Sequence, residues 1–301
     1  MAVPDYQSLM LPLLQATTDN RIFRYRDLID ILAKQFQLTA EERKELLPSG
    51  SQPLFDNRVG WANTYLKKAG LLQSEKRGYV QITALGHEIL ASKPEMINNA
   101  FLRRFESFNQ FTGNTPNGKT DNQELVEETI QTPEEQLEGA WTKLNRTLSG
   151  DILDKVKQMD PYKFEQLVVD LLLAMGYGGS RQEAGRTVGK SGDGGIDGII
   201  NEDRLGLDKI YLQAKRWENT VPIKEIRDFA GALLAQKARK GVFITTSEFS
   251  KSAFEFVDNI DRTIVLIDGH RLAEFMIEHS VGVSTKRKFV LKEMDGDYFE
   301  N

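Results

Sequence analysis

The chain contains no cysteine, which excludes disulfide bonds and every thiolate metal centre. Histidine is scarce, with only His87, His270 and His279, and their separations match none of the spacings that zinc sites use. No apolar stretch is long enough to span a bilayer and no apolar N-terminal run is present, so a soluble cytoplasmic protein without membrane contact is expected. Basic charge is also in short supply. Lys and Arg number 39 against 44 Asp and Glu, a net charge of -5. That balance argues against a passive nucleic-acid coat, whose contact face needs Lys and Arg in excess. The acid excess lies beyond residue 98, which leaves the N-terminal part the better candidate for meeting phosphate. No internal repeat or low-complexity tract is found.

What is present suits folded domains. With 40% hydrophobic and 28% charged residues over 301 positions, the chain can bury a sizeable core and is long enough for two domains. Leu9, Leu11, Leu13 and Leu14 cluster in a first helix bent near Pro12. Leu28, Ile31, Leu32 and Phe36 follow at the period of an amphipathic second helix, and Gln37-Leu-Thr39 before Ala-Glu-Glu-Arg43 resembles an N-cap. Asn57 to Ala69 reads as a third, with Val59, Ala62, Leu66 and Ala69 on one stripe and Arg58, Asn63, Lys67 and Lys68 turned to solvent. Two short strands, Leu71 to Lys76 and Tyr79 to Thr83, then meet at the basic turn Arg77-Gly78, and a helix through Ile89 and Leu90 follows. Three helices and a basic hairpin make a winged helix-turn-helix, residues 1–98. As a group, Arg58, Asn63, Lys67, Lys68, Lys76 and Arg77 favour DNA contact, although any one of them alone reads as a surface charge. Trp61 and Tyr65 could stack on bases, but aromatics at helical spacing are more often core.

Residues 99–131 shift toward Asn, Thr, Gly and Glu and read as a mobile linker. Order resumes at Thr132-Pro-Glu-Glu135, where Thr132 and Glu135 can form a capping box around Pro133 at the first helical position. Leu137, Trp141 and Leu144 of that helix are expected to pack on the second domain, residues 132–301. Asp160-Pro161 opens a nearly apolar, buried helix ending at Gly176. Within it Glu165 shares a face with Val168, Val169 and Leu172: either a carboxylate aimed inward at a cation or partner, or a wetted helix-end acid. Residues 183–190 form a first short strand, Ile196 to Ile200 the next, and Lys209 to Trp217 a third. Alternation puts Ile210, Leu212 and Ala214 on one face and Tyr211, Gln213 and Lys215 on the other, and a hairpin brings Asp197 to Gln213 and Lys215. Amphipathic helices then alternate with the apolar strands Gly241 to Thr246 and Thr263 to Asp268. The pattern predicts an α/β fold, a mixed sheet flanked by helices on both faces.

The residue types gathered on those two strands suit phosphodiester hydrolysis. A hard divalent cation takes carboxylate, amide and main-chain oxygens. Asp197 is its anchor, with the Gln213 amide oxygen, the Ala214 carbonyl and Glu165 as further ligands. Lys215 can orient or deprotonate a water and oppose developing negative charge. Asp193, in Gly-Asp-Gly-Gly, reads as a turn residue, and Arg181, Arg186, Lys190 and Arg216 individually as surface charges.

Phe164-Glu165, Gly194-Gly-Ile-Asp197, Gln213-Ala-Lys215 and Gly241-Val-Phe-Ile-Thr-Thr246, with the N-terminal winged helix, resemble the Mrr family of type IV restriction endonucleases, a branch of the PD-(D/E)xK nuclease superfamily. The resemblance implies Mg2+-dependent cleavage of methylated double-stranded DNA in host defence, with Mn2+ as a substitute cation, and an α-β-β-β-α-β nuclease core. Matched by position, Asp197 is the metal-binding Asp, Gln213 the usually acidic second ligand, Lys215 the catalytic Lys and Glu165 the helical acid. Gln213 departs from the commonest superfamily pattern, and a neutral ligand favours one metal over two. Cutting both strands of a duplex favours a homodimer or higher homo-oligomer. Two other readings stay open: a catalytically silent DNA-binding regulator using the nuclease fold to dimerise or sense, and a nuclease acting on RNA or on DNA-repair intermediates.

Overall fold

A computed structural model describes residues 2–19, 21–113, 130–178, 196–203, 205–295 and 298. The expected strand over 183–190, the Asp193 turn, and Arg181, Arg186 and Lys190 lie outside them. The chain divides into two compact units, Met1–Thr142 with Glu293–Asn301, and Lys143–Lys292. No helix among the described residues is long and apolar enough to cross a membrane.

In the first unit the order is α1 (Met10–Ala16), β1 (Phe23–Arg24), α2 (Tyr25–Gln35), α3 (Leu54–Lys68), β2 (Leu72–Gln73), β3 (Tyr79–Ile82) and α4 (Ala84–Ala91). The strands form an antiparallel sheet in the order β1-β3-β2, with Phe23 opposite Val80 and Leu72 opposite Ile82. Leu13, Leu28, Leu32, Phe55, Val59 and Leu66 bury completely between the helices, the stripe that their 3–4 spacing dictates. Thr39 and Glu42 bond each other's backbone N–H groups, at 2.8 and 3.2 Å, and this capping box heads a single 3-10 turn, Glu42–Lys44. Gly86 in α4 is required by close approach, because a Cβ there would stand 2.4 Å from the Leu71 carbonyl oxygen.

The expectation of a linker from residue 99 needs correction. Asn99–Leu102 (α5) and Glu106–Thr112 (α6) are helical, and Leu102 and Phe108 are buried in the first core. Phe101, Phe105, Phe108 and Phe111 recur at helical spacing, and the Phe108 ring meets Tyr65 edge-on at 5.4 Å, so the segment has apolar surface enough to order itself. Tyr65 is partly buried and packs against that core.

Helix α7 (Pro133–Lys157) starts at the predicted capping box. The Thr132 N–H donates to the Glu135 carboxylate at 2.9 Å and the Glu135 N–H to Thr132 Oγ1 at 3.1 Å. Leu137, Trp141 and Leu144, expected to pack, are exposed at 43%, 62% and 71%. The residues of α7 that enter the second unit's core are Ile152 and Val156.

The second unit continues with α8 (Pro161–Ala174), β4 (Gly198–Asn201), β5 (Lys209–Lys215), α9 (Ile223–Ala235), β6 (Lys240–Thr245), α10 (Lys251–Asp258), β7 (Thr263–Ile267) and α11 (Gly269–Glu278). The Asp160 side chain caps α8 by accepting from the Tyr162 N–H at 3.0 Å. The sheet order is β4-β5-β6-β7, with β4 antiparallel to β5 and β5, β6 and β7 parallel. Ile200, Ile210, Leu212, Val242 and Ile244 pack on one face with residues of α8 and α11. Phe243, Ile264 and Leu266 pack on the other with Ile226, Phe229 and Leu233 of α9 and Ala253 of α10. The core is thus a mixed sheet between two helical layers, the expected α/β class.

Candidate active site

The site is built where the chain enters β4. Gly198, the first residue of β4, pairs with β5 opposite Leu212, and before it the Asp197 N–H still reaches the Leu212 carbonyl at 2.8 Å. There the backbone ladder stops and the Asp197 side chain takes it over: its Oδ2 accepts from the Ala214 N–H at 2.8 Å. A carboxylate in that role is fixed by the strand end itself.

Alternation along β5 then orders its side chains. Leu212 and Ala214 belong to the α8 face, while Tyr211 packs against the cluster beneath α9, and Gln213 and Lys215 follow Tyr211 by period two. Gln213 is 5% exposed, and among the described residues its Oε1 is buried without a hydrogen-bond partner. Lys215 keeps 30% of its side chain exposed, with its Nζ 3.5 Å from a Glu225 carboxylate oxygen and 5.4 Å from the Trp217 ring centroid. The Lys215 carbonyl is clamped from β6, accepting from Thr245 Oγ1 at 2.9 Å and from the Thr246 N–H at 3.3 Å. Thr246 Oγ1 also donates to the Trp217 carbonyl at 2.8 Å.

Glu165 comes from α8. Burial raises its pKa, and the charge of Asp197 raises it further. Burial likewise raises Asp197, against the opposing effects of the Ala214 N–H and of the Lys215 charge. Two partly buried acids whose charged forms are disfavoured, one of them by the charge of the other, would be relieved by a cation near them. Among the described residues no three His, Asp or Glu side chains form a cation cage, so a metal here would depend on neutral oxygens as well. The unpartnered Gln213 Oε1 is one, an acceptor whose burial is costly until a positive pole meets it. Asp197, Gln213, the Ala214 carbonyl and Glu165 therefore fit a hard divalent cation in chemistry.

Beside the site opens a cleft of about 500 Å³ lined by Lys157, Arg216, Trp217, Glu218, Asn219 and Thr246. Arg216 is tied down there, donating to the Lys157 carbonyl at 2.6 Å. Sequence reasoning passed over Glu225. Its signal was an acid in the first turn of the helix that follows the Lys215 strand, which reads on its own as a dipole-favoured residue.

The residues proposed for DNA contact in the first unit separate into three groups. Arg58 is a correction: its guanidinium bonds the Glu135 carboxylate at 2.7 Å and the Val3 carbonyl at 2.5 Å, leaving 14% of the side chain exposed. Helical alternation could not reveal that partner, 77 residues away. Asn63 and Lys67 are half-buried, and burial lowers the Lys67 pKa. Lys68, Lys76 and Arg77 are exposed. The Lys68 and Lys76 ammonium groups lie over the rings of Phe111 and Tyr79, at 5.1 and 5.7 Å.

Two family models match the chain, a restriction endonuclease model over residues 156–276 and an Mrr N-terminal domain model over residues 6–92. The chain is 39% identical over 308 residues, covering 100% of both proteins, to the type IV methyl-directed restriction enzyme EcoKMrr of Escherichia coli (strain K12). Among solved structures, the DNA modification-dependent restriction endonuclease AspBHI is similar over 46% of this chain and 36% of its own, with 19% identity and a TM-score of 0.36. The MspJI restriction endonuclease in complex with a 27-mer oligonucleotide is similar over 65% and 42%, with 18% identity and a TM-score of 0.30.

Proposed function

Because the chain belongs to the Mrr family of restriction endonucleases, we propose that it hydrolyses phosphodiester bonds of methylated double-stranded DNA in host defence in the cytoplasm, with Mg2+ as its cation and Mn2+ as a substitute. The observation that carries the reading is the strand-end arrangement: Asp197 is fixed on the Ala214 N–H, the buried Oε1 of the preceding residue, Gln213, has no hydrogen-bond partner among the described residues, and Lys215 follows on the same strand. A bound divalent cation supplies positive charge to the scissile phosphate and lowers the pKa of water. Asp197, Gln213, the Ala214 carbonyl and Glu165 are the residues that would hold it. Lys215 Nζ donates to a phosphate oxygen or to the attacking water, orienting it and opposing the negative charge that grows at phosphorus. Water oxygen bonds to phosphorus, one P–O ester bond breaks, and the departing oxygen takes up a proton, leaving a phosphate monoester and a hydroxyl. The Gln213 amide oxygen would be a neutral ligand where a second carboxylate is usual, which favours a single cation.

The first unit is read as the DNA-recognition module, a winged helix-turn-helix. In support, its order is helix, strand, helix, helix, strand, strand, and Lys76 and Arg77 stand exposed at the tip of the β2-β3 hairpin. Two copies acting together would place one centre on each DNA strand. The test incubates one plasmid, methylated or unmethylated, with the protein and Mg2+ or a chelator. Cleavage of the methylated form alone, abolished by the chelator, is expected. Equal cleavage of both forms would overturn methyl dependence, and cleavage in chelator would overturn the cation.

A further inference from the structure

The contact that the hydrolytic scheme leaves unused is the one between Lys215 and Glu225. We propose that Glu225 is a positioning residue for Lys215, a carboxylate that holds the ammonium at the angle from which it meets the phosphate or the water. This inference rests on the role proposed for Lys215 in hydrolysis.

Both ends of the pair are anchored, so the contact is set by the fold. On one side, β5 is held by β6: Thr245 Oγ1 and the Thr246 N–H both donate to the Lys215 carbonyl. On the other, the chain enters α9 through Val221, whose N–H donates to the Glu248 carbonyl at 2.7 Å and whose carbonyl accepts from the Ser250 N–H at 3.0 Å. Ile226, the residue after Glu225, and Phe229 one turn on are buried in the sheet-α9 cluster with Phe243. What stays free is the four-carbon lysine stem, whose rotamers would scatter the ammonium if nothing met its end. The Glu225 carboxylate at 3.5 Å and the Trp217 ring at 5.4 Å restrict it. Both charged side chains are largely shielded, at 30% and 21% exposed, so the pair is less screened than an open surface bridge.

The charge balance points the same way. With Gln213 neutral, β5 brings no anion to its own lysine. The carboxylate that meets the ammonium is that of Glu225, contributed by α9. A Glu in the first turn also suits the helix dipole, and that structural role predicts a change in stability without a change in the cleavage step.

The experiment compares wild type, Glu225→Gln, Glu225→Asp and Lys215→Ala in single-turnover cleavage of methylated plasmid at saturating DNA and Mg2+, alongside cation-free DNA affinity and melting temperature. For Glu225→Gln the cleavage rate constant is expected to fall about 10- to 100-fold. DNA affinity should stay within about two-fold and the melting temperature within about 2 °C, a change of under about 1 kcal/mol. Glu225→Asp keeps the charge one methylene further back and should recover part of the lost rate. A Glu225→Gln rate within about two-fold of wild type, or a rate loss matched by lost DNA affinity or lost melting temperature, would overturn the proposal. If wild type and Lys215→Ala cleave alike, the role of Lys215 falls, and this inference with it. If Lys215→Ala is inactive while Glu225→Gln matches wild type, the positioning role alone falls.

Discussion

Arg58→Ala should unfold the first unit before it loosens any grip on DNA. The Arg58 and Glu135 side chains are 14% and 8% exposed and meet at 2.7 Å. Removing one partner of a buried pair strands the other charge, at a cost of about 3–5 kcal/mol. Glu135 would keep the Thr132 N–H at 2.9 Å, which places the effect near the lower end. The Val3 carbonyl, bonded at 2.5 Å, would lose its donor. For a unit of this size about 3 kcal/mol corresponds to a drop of roughly 6–12 °C in melting temperature. Thermal unfolding followed by circular dichroism on the whole chain is the assay, with DNA affinity measured well below the transition. Affinity there should match wild type. Glu135→Gln should be milder, because it keeps a carbonyl acceptor for Arg58 and leaves no stranded carboxylate, although its amide NH2 replaces the oxygen that accepted from the Thr132 N–H. An Arg58→Ala protein that melts within about 1 °C of wild type yet binds DNA ten-fold more weakly would refute the reasoning and return Arg58 to the DNA contacts.

The remaining predictions concern the strand-end site and the hairpin. Burial raises the folded-state pKa of Asp197, so its contribution to stability is complete below the ordinary carboxylate range and is lost as pH rises through the raised value. Asp197→Asn without cation should therefore melt above wild type at pH 7, the gap closing near pH 3.5, below the unperturbed range; equal melting at pH 7 would count against a costly buried charge. Gln213→Glu puts a second acid beside Asp197 and should tighten Mg2+ binding in calorimetry while lowering cation-free stability. Unchanged affinity would mean that this side chain does not face the cation. Replacing Lys76 and Arg77 together by Ala should weaken DNA binding across sequences and reduce the salt dependence by about one counterion per lost phosphate contact, and an unaltered salt slope would take the hairpin out of the interface.

Much of the second unit was legible because its signals are local. The Asp160-Pro161 cap, the apolar runs of β6 and β7 and the alternation of β5 each depend on a few neighbouring residues, and the two helical layers follow from which strand face is apolar. The first unit was legible to residue 91 for the same reason. Beyond it, the polar residues after 111 signal a loop, while Phe101, Phe105, Phe108 and Phe111 carry a helical period that orders the segment before them. The opposite error befell α7, whose Leu137, Trp141 and Leu144 have the right spacing for burial and are exposed; periodicity says which face is apolar and nothing about what meets it. At the candidate site, Asp197, Gln213 and Lys215 could be set on neighbouring strands from pattern alone. The partners of Arg58 and Lys215 could not, since Glu135 and Glu225 come from other elements and only the fold brings them near.

The most direct test of the nuclease centre is single-turnover cleavage of methylated plasmid by Asp197→Ala beside wild type, under conditions where both proteins bind the DNA equally. The strand-end acid is predicted to be indispensable: wild type nicks and then linearises the plasmid with Mg2+, while Asp197→Ala, folded and DNA-bound, leaves it supercoiled. Cleavage by Asp197→Ala at the wild-type rate would contradict the assignment and move the chemistry elsewhere in the chain.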